Sequence, residues 1–260
     1  MRICIVSPHR DDACLSLGMS LIRWARAGHR IRIVNCFTRS ASAPYSDADT
    51  VHANDRTSYV SAVREKEDKV FLRRVPGAEM VDLRLKDAPL RMRCKEHEVH
   101  GRPVNEADPA IAKIATALEK RVGSNQVDLL LLPFGVGRHV DHSTAREAAL
   151  PFARELACGF YDDMPYASLV DADLEVNELR EEIATHTAWQ IVPLLCRAGI
   201  TAASMKRELA RIYCSQIDEA TVDAIAEIAG RDNGERIWAN DRLLALVEAG
   251  ISGWSDGFVI

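Results

Sequence analysis

The sequence lacks an excess of basic residues. Its 33 Lys and Arg are outnumbered by 38 Asp and Glu, which gives a formal net charge of −5 at pH 7. Proteins that bind nucleic acid or anionic membrane surfaces usually gather positive charge for that purpose. The composition therefore argues against a nucleic-acid partner and against a membrane-surface protein.

Long hydrophobic runs and cysteine patterns are missing as well. No apolar stretch approaches the roughly 18 residues of a membrane span, and no charged segment followed by a long apolar one opens the chain as in a signal peptide. Seven cysteines are present, but none are spaced as Cys-x-x-Cys, so neither a disulfide framework nor a zinc finger is indicated. We expect a cytoplasmic protein without a membrane span.

Strand and helix signals alternate through residues 1–165. Short apolar strands are predicted at residues 2–7, 30–37, 79–85, 127–134 and 157–161. Helices with apolar residues at helical spacing are predicted at residues 11–28, 56–74, 107–122 and 142–155. This alternation predicts the α/β class, with a Rossmann-like, mainly parallel sheet flanked by helices on both faces.

The pattern changes after about residue 165. A strand is predicted at residues 169–176, and helices at residues 178–196, 202–214, 219–229 and 235–248. No linker rich in Gly, Pro or Ser separates this part from the rest, and 260 residues suit a single domain. We therefore predict one domain over 1–260, with an α/β core at 1–165 and a helical C-terminal extension at 166–260 packed on it.

Two loops that follow predicted strands are rich in residues that bind metals. Ser-Pro-His-Arg-Asp-Asp occupies residues 7–12, and Gly-Val-Gly-Arg-His-Val-Asp-His occupies residues 135–142. Ligands of open parallel sheets bind beyond the carboxyl ends of the strands, where the strand order reverses. In such a sheet, the first strand of one half lies beside the first strand of the other half. The two loops are therefore predicted to face each other.

Within these loops, His9, Asp12 and His142 predict a catalytic metal site. Two imidazoles and one carboxylate leave a fourth position for water, as in catalytic rather than structural zinc sites. Zinc bound in this way lowers the pKa of water to about 7. An Asp at a strand–helix junction also commonly caps the helix, but both loops lie at equivalent junctions, which favours the metal site.

Three further side chains in the loops have predicted catalytic roles. Asp11 lies beside a ligand and can act as general base toward the metal-activated water. His139 is predicted to stabilise an oxyanion or to protonate a leaving amine. Asp141 is predicted to hold the His139 ring in one orientation.

The two loops resemble motifs of a known family. Residues 7–12 resemble the His-Pro-Asp-Asp signature of the PIG-L/LmbE-like metal-dependent N-acetylglucosaminyl deacetylases, and residues 139–142 resemble their His-Pro-Asp-His. Arg64-Glu65-Lys66-Glu67 resembles the Arg-x-x-Glu helix of that family, and residues 206–216 resemble its late helix ending in Ser-Gln. The resemblance covers about residues 2–216.

This resemblance implies a Rossmann-like zinc hydrolase that removes an N-acetyl or other N-acyl group from a small molecule containing an amino sugar. Family substrates include glycolipid, thiol-cofactor and antibiotic precursors. The implied roles are zinc ligands for His9, Asp12 and His142, general base for Asp11, intermediate stabiliser for His139, orienting group for Asp141 and substrate-hydroxyl contact for Arg64.

The chain departs from the family pattern at several positions. Arg10 and Val140 replace the prolines of the two motifs, and Gly137 stands where some members place a Tyr near the reacting carbonyl. We expect Arg10 and Arg138 to flank the mouth of the site and to favour a substrate with phosphate or carboxylate. The loop at residues 86–106 is predicted to be a solvated lid, with Asp87 near a sugar hydroxyl.

Alternatives remain open at this level. Fe²⁺ or another divalent metal suits the same ligands, and a larger sugar-thiol or antibiotic amide conjugate suits the same chemistry. Two histidines and one carboxylate also occur in non-haem iron oxygenases, and a non-catalytic metal- or sugar-binding module would keep the fold. A dinucleotide enzyme is disfavoured because the first strand–helix turn has no glycines. Homo-oligomerisation is left open.

Overall fold

The computed structural model describes residues 1–122, 127–168, 172–250 and 258–259. Its strands are β1 Arg2–Ser7, β2 Arg30–Asn35, β3 Glu79–Asp82, β4 Leu129–Pro133, β5 Ala157–Tyr161, β6 Val192–Arg197, β7 Gly234–Ala239 and β8 Phe258–Val259. Its α-helices are α1 Asp12–Arg26, α2 Ala53–Leu72, α3 Ala88–Met92, α4 Pro109–Val122, α5 Val140–Ala153, α6 Ala172–Thr187, α7 Ala202–Ala210, α8 Glu219–Asp232 and α9 Asp241–Glu248.

All described strands form one sheet in the order β3-β2-β1-β4-β5-β7-β6-β8. The first five strands are parallel, and β1 lies directly beside β4, with Ile3 opposite Leu129 and Ile5 opposite Leu131. The chain leaves β1 toward β2 on one side and later enters β4 on the other. The carboxyl ends of β1 and β4 therefore form the switch point, and the predicted mainly parallel sheet is confirmed.

Two hydrophobic cores lie on opposite faces of this sheet. Successive side chains of a strand point to opposite faces. In β1, Ile3 and Ile5 join the core beneath α1, α7 and α9, while Cys4 and Val6 join the core beneath α4, α5 and α6. Because both faces of the sheet are covered, the sequence of β1 is almost continuously apolar. Its carboxyl end lies between the two cores.

The C-terminal extension differs from the prediction. Of the strand expected at 169–176, residues 169–171 lie outside the described residues and 172–176 belong to α6. The helices expected at 178–196 and 235–248 were wrong where they overlap β6 and β7. These two strands pair antiparallel with each other, and β7 also pairs antiparallel with β5. Tertiary pairing overrides weak local preference in these short strands. The extension thus continues the sheet and adds helices to it.

In the part of the chain that the structure describes, no helix combines the length and the apolar character that crossing a bilayer requires.

Candidate metal centre and catalytic pocket

The loop between β1 and α1 folds back so that His9 and Asp12 point to one place. The Asp12 carboxylate accepts the backbone N–H of His9 at 2.6 Å, and its Oδ2 lies 3.3 Å from Nδ1 of His9. The Ser7 hydroxyl donates to the His9 carbonyl at 2.6 Å and accepts the backbone N–H of Ala13 at 3.2 Å. These hydrogen bonds fix both side chains at the carboxyl end of β1.

The third predicted ligand enters from the neighbouring strand. His142 lies in the first turn of α5, just after β4, and its side chain is fully buried. Its Nε2 lies 3.4 Å from Oδ2 of Asp12 and has no hydrogen-bond partner. A buried ring nitrogen without a partner is costly unless a ligand satisfies it.

The spacing of His9, Asp12 and His142 fits a divalent metal. Their ligand atoms all lie within 4.8 Å of one another. Two ligands at about 2.1 Å from a tetrahedral zinc are about 3.4 Å apart, which matches the observed 3.3 and 3.4 Å. Two imidazole nitrogens and one carboxylate oxygen are the donor set of a catalytic zinc site with room for other ligands.

A second group, His9, His139 and Asp141, also has metal-binding spacing. Its carboxylate is already used, because Oδ1 of Asp141 accepts from Arg91 at 2.7 Å and Oδ2 accepts the Ala88 N–H at 2.8 Å. The set of His9, Asp12 and His142 is the better site, because it includes the buried Nε2 of His142, which has no hydrogen-bond partner.

Each imidazole of the favoured set has a carboxylate behind it. Nδ1 of His142 lies 2.6 Å from Oδ1 of Asp163, and Nε2 of His9 lies 3.1 Å from Oδ2 of Asp141. Such carboxylates fix the tautomer and ring orientation of metal-binding histidines and make them better ligands. The other oxygen of Asp163 accepts the backbone N–H groups of Gly135 and Val136, so this carboxylate also shapes the second loop.

These two carboxylates, together with Asp12, raise the pKa values of the two histidines. Burial alone lowers the pKa of His9, but hydrogen bonds to Asp12 and Asp141 outweigh it and raise that pKa to about 10. Burial also opposes protonation of His142, and the charges of Asp12 and Asp163 raise its pKa. Without metal, the His9 ring therefore holds a proton that a metal ion must displace.

We therefore expect divalent metal binding to release protons and to tighten with rising pH. Because the raised pKa of His9 keeps its ring protonated at neutral pH, affinity should increase about tenfold per pH unit for each proton displaced. Calorimetric titration of metal-free protein in two buffers with different ionisation enthalpies measures the released protons. A binding enthalpy independent of the buffer, with affinity independent of pH, would contradict this linkage.

His139 begins α5 and faces the metal-binding set. Its ring centroid lies 5.0 Å from that of His9 and 5.2 Å from that of His142. Its Nδ1 accepts the backbone N–H of Asp141 at 3.1 Å, which leaves the proton of the neutral ring on Nε2. Burial and the charges of His9 and His142 hold the pKa of His139 well below its usual value. The ring is therefore a neutral hydrogen-bond donor.

The expected role of the Asp141 carboxylate is corrected by these contacts. Its oxygens contact His9, Arg91 and the Ala88 N–H, not the His139 ring. The orientation of His139 comes from the backbone N–H of Asp141 instead. Asp141 thus orients His9 with its carboxylate and His139 with its backbone N–H.

Asp11 occupies the position before α1, yet its side chain makes no capping hydrogen bond. Its Oδ1 accepts from Nη2 of Arg64 at 2.6 Å, and both side chains are largely buried at the pocket wall. Asp87 lies at the same wall, where it caps α3 by accepting the Leu90 N–H at 3.3 Å. The structure thus brings three polar residues predicted for catalysis or substrate binding together around one pocket.

Comparison with known proteins agrees with this geometry. The sequence profile of the PIG-L family, described as GlcNAc-PI de-N-acetylase, matches residues 4–153. The chain belongs to the PIG-L family. The predictions of an N-deacetylase that acts on amide bonds and of a Rossmann-like fold are confirmed.

Individual relatives support the same assignment. The chain is 31% identical over 228 residues to 2'-N-acetylparomamine deacetylase of Streptomyces fradiae, covering 85% of this chain and 75% of the relative. It resembles the solved A40926 pseudoaglycone deacetylase with a TM-score of 0.63 and 25% identity, over 93% of this chain and 98% of that one. The zinc-inhibited form of teicoplanin deacetylase shares the fold, with a TM-score of 0.67, 22% identity and the same coverage.

The departure from the PIG-L motif at Arg10 has a structural explanation. Arg10 was expected at the mouth of the site, but this was wrong. Its side chain is 6% exposed and donates to Asp68 at 2.5 Å and to Asp82 at 2.6 Å. Arg10 thereby ties the first loop to α2 and β3, and its charge is neutralised by two carboxylates.

Arg138 also lies away from the catalytic pocket. Its guanidinium pairs with Glu175, Glu178 and Glu182 of α6, and it lines a different cavity. With three carboxylates around it, Arg138 anchors the second loop to α6 rather than presenting a free charge to a substrate. The expectation that Arg10 and Arg138 contact an anionic substrate was therefore wrong, because both guanidinium groups are already paired with carboxylates.

Sequence reasoning missed two residues of the pocket wall. His100 was assigned to a solvated lid, but its Nδ1 lies 2.7 Å from the Gly137 carbonyl and its ring lies 5.2 Å from that of His139. Tyr166 fills the space beside Gly137, where an added Cβ would lie 2.4 Å from its Cγ. No motif in the sequence marks either residue, because both reach the pocket only through the tertiary fold.

The hydroxyl of Tyr166 is a neutral group in the pocket. Burial, together with the charges of Asp12 and Asp11, raises its pKa far above the usual value. It therefore stays protonated and can donate a hydrogen bond at any physiological pH.

Proposed function

We propose that this protein is a divalent-metal-dependent hydrolase that removes an N-acetyl group from the amino sugar of an antibiotic-type small molecule. The observation that carries the proposal is the set of His9, Asp12 and the unpartnered Nε2 of His142 at metal-binding spacing. Asp11 and His139 line the pocket beside this set. An amide carbonyl placed there would lie beside the residues that would hold the metal, a carboxylate base and a neutral donor.

The substrate class rests on similarity and on size. The relatives act, by their names, on 2'-N-acetylparomamine and on the A40926 pseudoaglycone. The catalytic pocket measures about 240 Å³, which is smaller than the roughly 300–1,000 Å³ typical of drug-sized ligands. We infer that this pocket takes one acylated sugar ring.

A divalent ion held by His9, Asp12 and His142 supplies Lewis-acid chemistry when bound. Zinc is our first choice because of the two nitrogens and one oxygen of this set, and Fe²⁺ is the main alternative. The carboxylates of Asp141 and Asp163 keep the two rings oriented.

The side chains around the metal site have distinct roles in the proposed reaction. Asp11 takes the proton of the water that attacks the amide carbonyl, and Arg64 keeps its carboxylate in place through the 2.6 Å hydrogen bond. Nε2–H of His139 donates to the carbonyl oxygen as negative charge develops there. Asp11 then returns the proton to the leaving nitrogen, the C–N bond breaks, and acetate and a free amine are formed.

Substrate hydroxyls have two candidate partners in the pocket wall. Arg64 and Asp87 both line it, and burial raises the pKa of Asp87. We propose that these two side chains bind hydroxyl groups of the sugar, as the motif resemblance implies for Arg64.

The proposal is tested with metal-free protein to which single divalent ions are added back. Zn²⁺, Fe²⁺, Co²⁺ and Mn²⁺ are supplied in equimolar and excess amounts, since excess zinc can inhibit a zinc hydrolase. N-acetylglucosamine and 2'-N-acetylparomamine serve as substrates, and free amine and acetate are measured. We expect equimolar release of both products only with metal; release of neither with any ion would overturn the proposal.

A further inference from the structure

A second cavity adjoins the catalytic pocket. It measures about 730 Å³, against about 240 Å³ for the pocket itself. Both are lined by His100, Pro165 and Tyr166. The ring centroids of His100 and Tyr166 lie 5.3 Å apart. A molecule that overfills the catalytic pocket on this side must therefore pass these residues into the second cavity, which we call the outer cavity.

Part of the wall of the outer cavity is formed by the start of α8. Ala220, Thr221 and Ala224 of this helix line it, and two of the three are alanines that leave space. Pro165 and Tyr166 add further apolar surface to its lining. Ligand sites commonly combine such apolar walls with a few polar groups that fix orientation.

The polar groups of the outer cavity favour a particular chemistry. Its lining includes the hydroxyl-bearing residues Ser168 and Thr221 and the acidic residue Asp218. Among the lining residues that the structure describes, no Lys or Arg balances that carboxylate. Asp218 also accepts the Thr221 N–H at 2.8 Å and the Tyr45 hydroxyl at 3.2 Å, so it is held in position. The cavity therefore suits a hydroxylated ring that bears an ammonium group and disfavours an anionic one.

We propose that the outer cavity is a substrate subsite that receives the second, amine-bearing ring of a two-ring amino-sugar substrate. The acylated ring occupies the catalytic pocket at the same time. This inference rests on the proposed function, because it extends the substrate of that same site.

Two variants test the subsite. Ala224→Trp places a large ring in the outer cavity, and Asp218→Asn removes the charge while keeping a residue that caps α8 equally well. Glu227→Trp is the matched control, because Glu227 is exposed one turn further along α8 and does not line the cavity. For each, kcat and KM are measured with 2'-N-acetylparomamine and with N-acetylglucosamine.

We expect Ala224→Trp to lower the ratio of the two kcat/KM values, two-ring over one-ring, by about tenfold or more through KM. Asp218→Asn should lower it about two- to fivefold, as for an exposed ion pair, and more strongly at low than at high salt. Glu227→Trp should leave the ratio unchanged. An unchanged ratio in Ala224→Trp, or equal losses on both substrates, overturns the subsite. If the wild type hydrolyses neither substrate with any metal, the proposed function itself fails.

Discussion

Replacing Asp11 by asparagine should lower kcat by about 10²–10⁴-fold, the range typical of losing a general base. Asparagine keeps the shape of the side chain and can still accept the hydrogen bond from Arg64 at 2.6 Å. It cannot take a proton from water. Because Asp11 is not one of the proposed metal ligands, the variant should bind metal as the wild type does, and the loss should appear in kcat rather than in metal content.

The measurement is steady-state kinetics of Asp11→Asn at full metal occupancy, which is confirmed by elemental analysis. Asp55→Asn is a matched control, since Asp55 is an exposed aspartate in the first turn of α2. The control should keep full activity. Near-normal turnover in Asp11→Asn would show that another group acts as base, and loss of metal in this variant would show that Asp11 acts on the site indirectly.

The sequence predicted that His9, Asp12 and His142 lie close together, because their proximity depends on topology. Once β1 and β4 are recognised as strands that begin the two halves of a doubly wound sheet, their adjacency follows. The proximity of His9, Asp12 and His142 then does not depend on the conformation of the other loops. The structure places Ile3 opposite Leu129, so the two loops meet as the pattern predicts.

The supporting carboxylates were harder to predict because their partners are distant in the chain. Asp163 follows β5, the strand beside β4, and so lies at the same edge of the sheet. This position is a signal that could have been used. Which carboxylate supports which ring depends on side-chain direction, however, and Asp141 contacts His9 across 132 positions of sequence rather than the nearby His139 ring.

The charged residues of the loops were misjudged for a related reason. A sequence shows that Arg10 and Arg138 carry charge, but it does not show what neutralises that charge. Arg10 meets Asp68 and Asp82, and Arg138 meets three glutamates of α6. The PIG-L motif has proline at position 10, and the proline ring restricts the backbone directly. In this chain the ion pairs of Arg10 fix the loop instead.

Helix α2 supports the pocket along one face. Arg64 holds Asp11, Glu67 accepts the N–H and hydroxyl of Ser215, and Asp68 accepts the Tyr213 hydroxyl. The Ser-Gln segment is thereby fixed against the pocket, where Gln216 forms part of the wall. The Arg-x-x-Glu and Ser-Gln motifs, which are far apart in sequence, are therefore two sides of one contact.

Replacing His142 by alanine should weaken metal binding by more than about 100-fold, beyond the 10–100-fold typical of losing a supporting residue. In the proposed site His142 supplies one of three ligand atoms, and its side chain is fully buried between Asp12 and Asp163. The variant loses a ligand and leaves two carboxylates facing each other without the imidazole between them. Elemental analysis after dialysis, and calorimetric titration with Zn²⁺, measure the loss.

A graded series separates loss of a ligand from loss of its support. Asp163→Asn removes the charge and leaves one acceptor oxygen, which cannot serve both Nδ1 of His142 and the N–H groups of Gly135 and Val136. Because all three proposed ligands remain, its Zn²⁺ affinity should fall only about 10–100-fold. His186→Ala removes an exposed histidine at the end of α6 and should change nothing. The expected order of Kd is therefore His142→Ala above Asp163→Asn above the control. Wild-type affinity in His142→Ala, with circular dichroism showing an intact fold, would place the metal elsewhere in the protein.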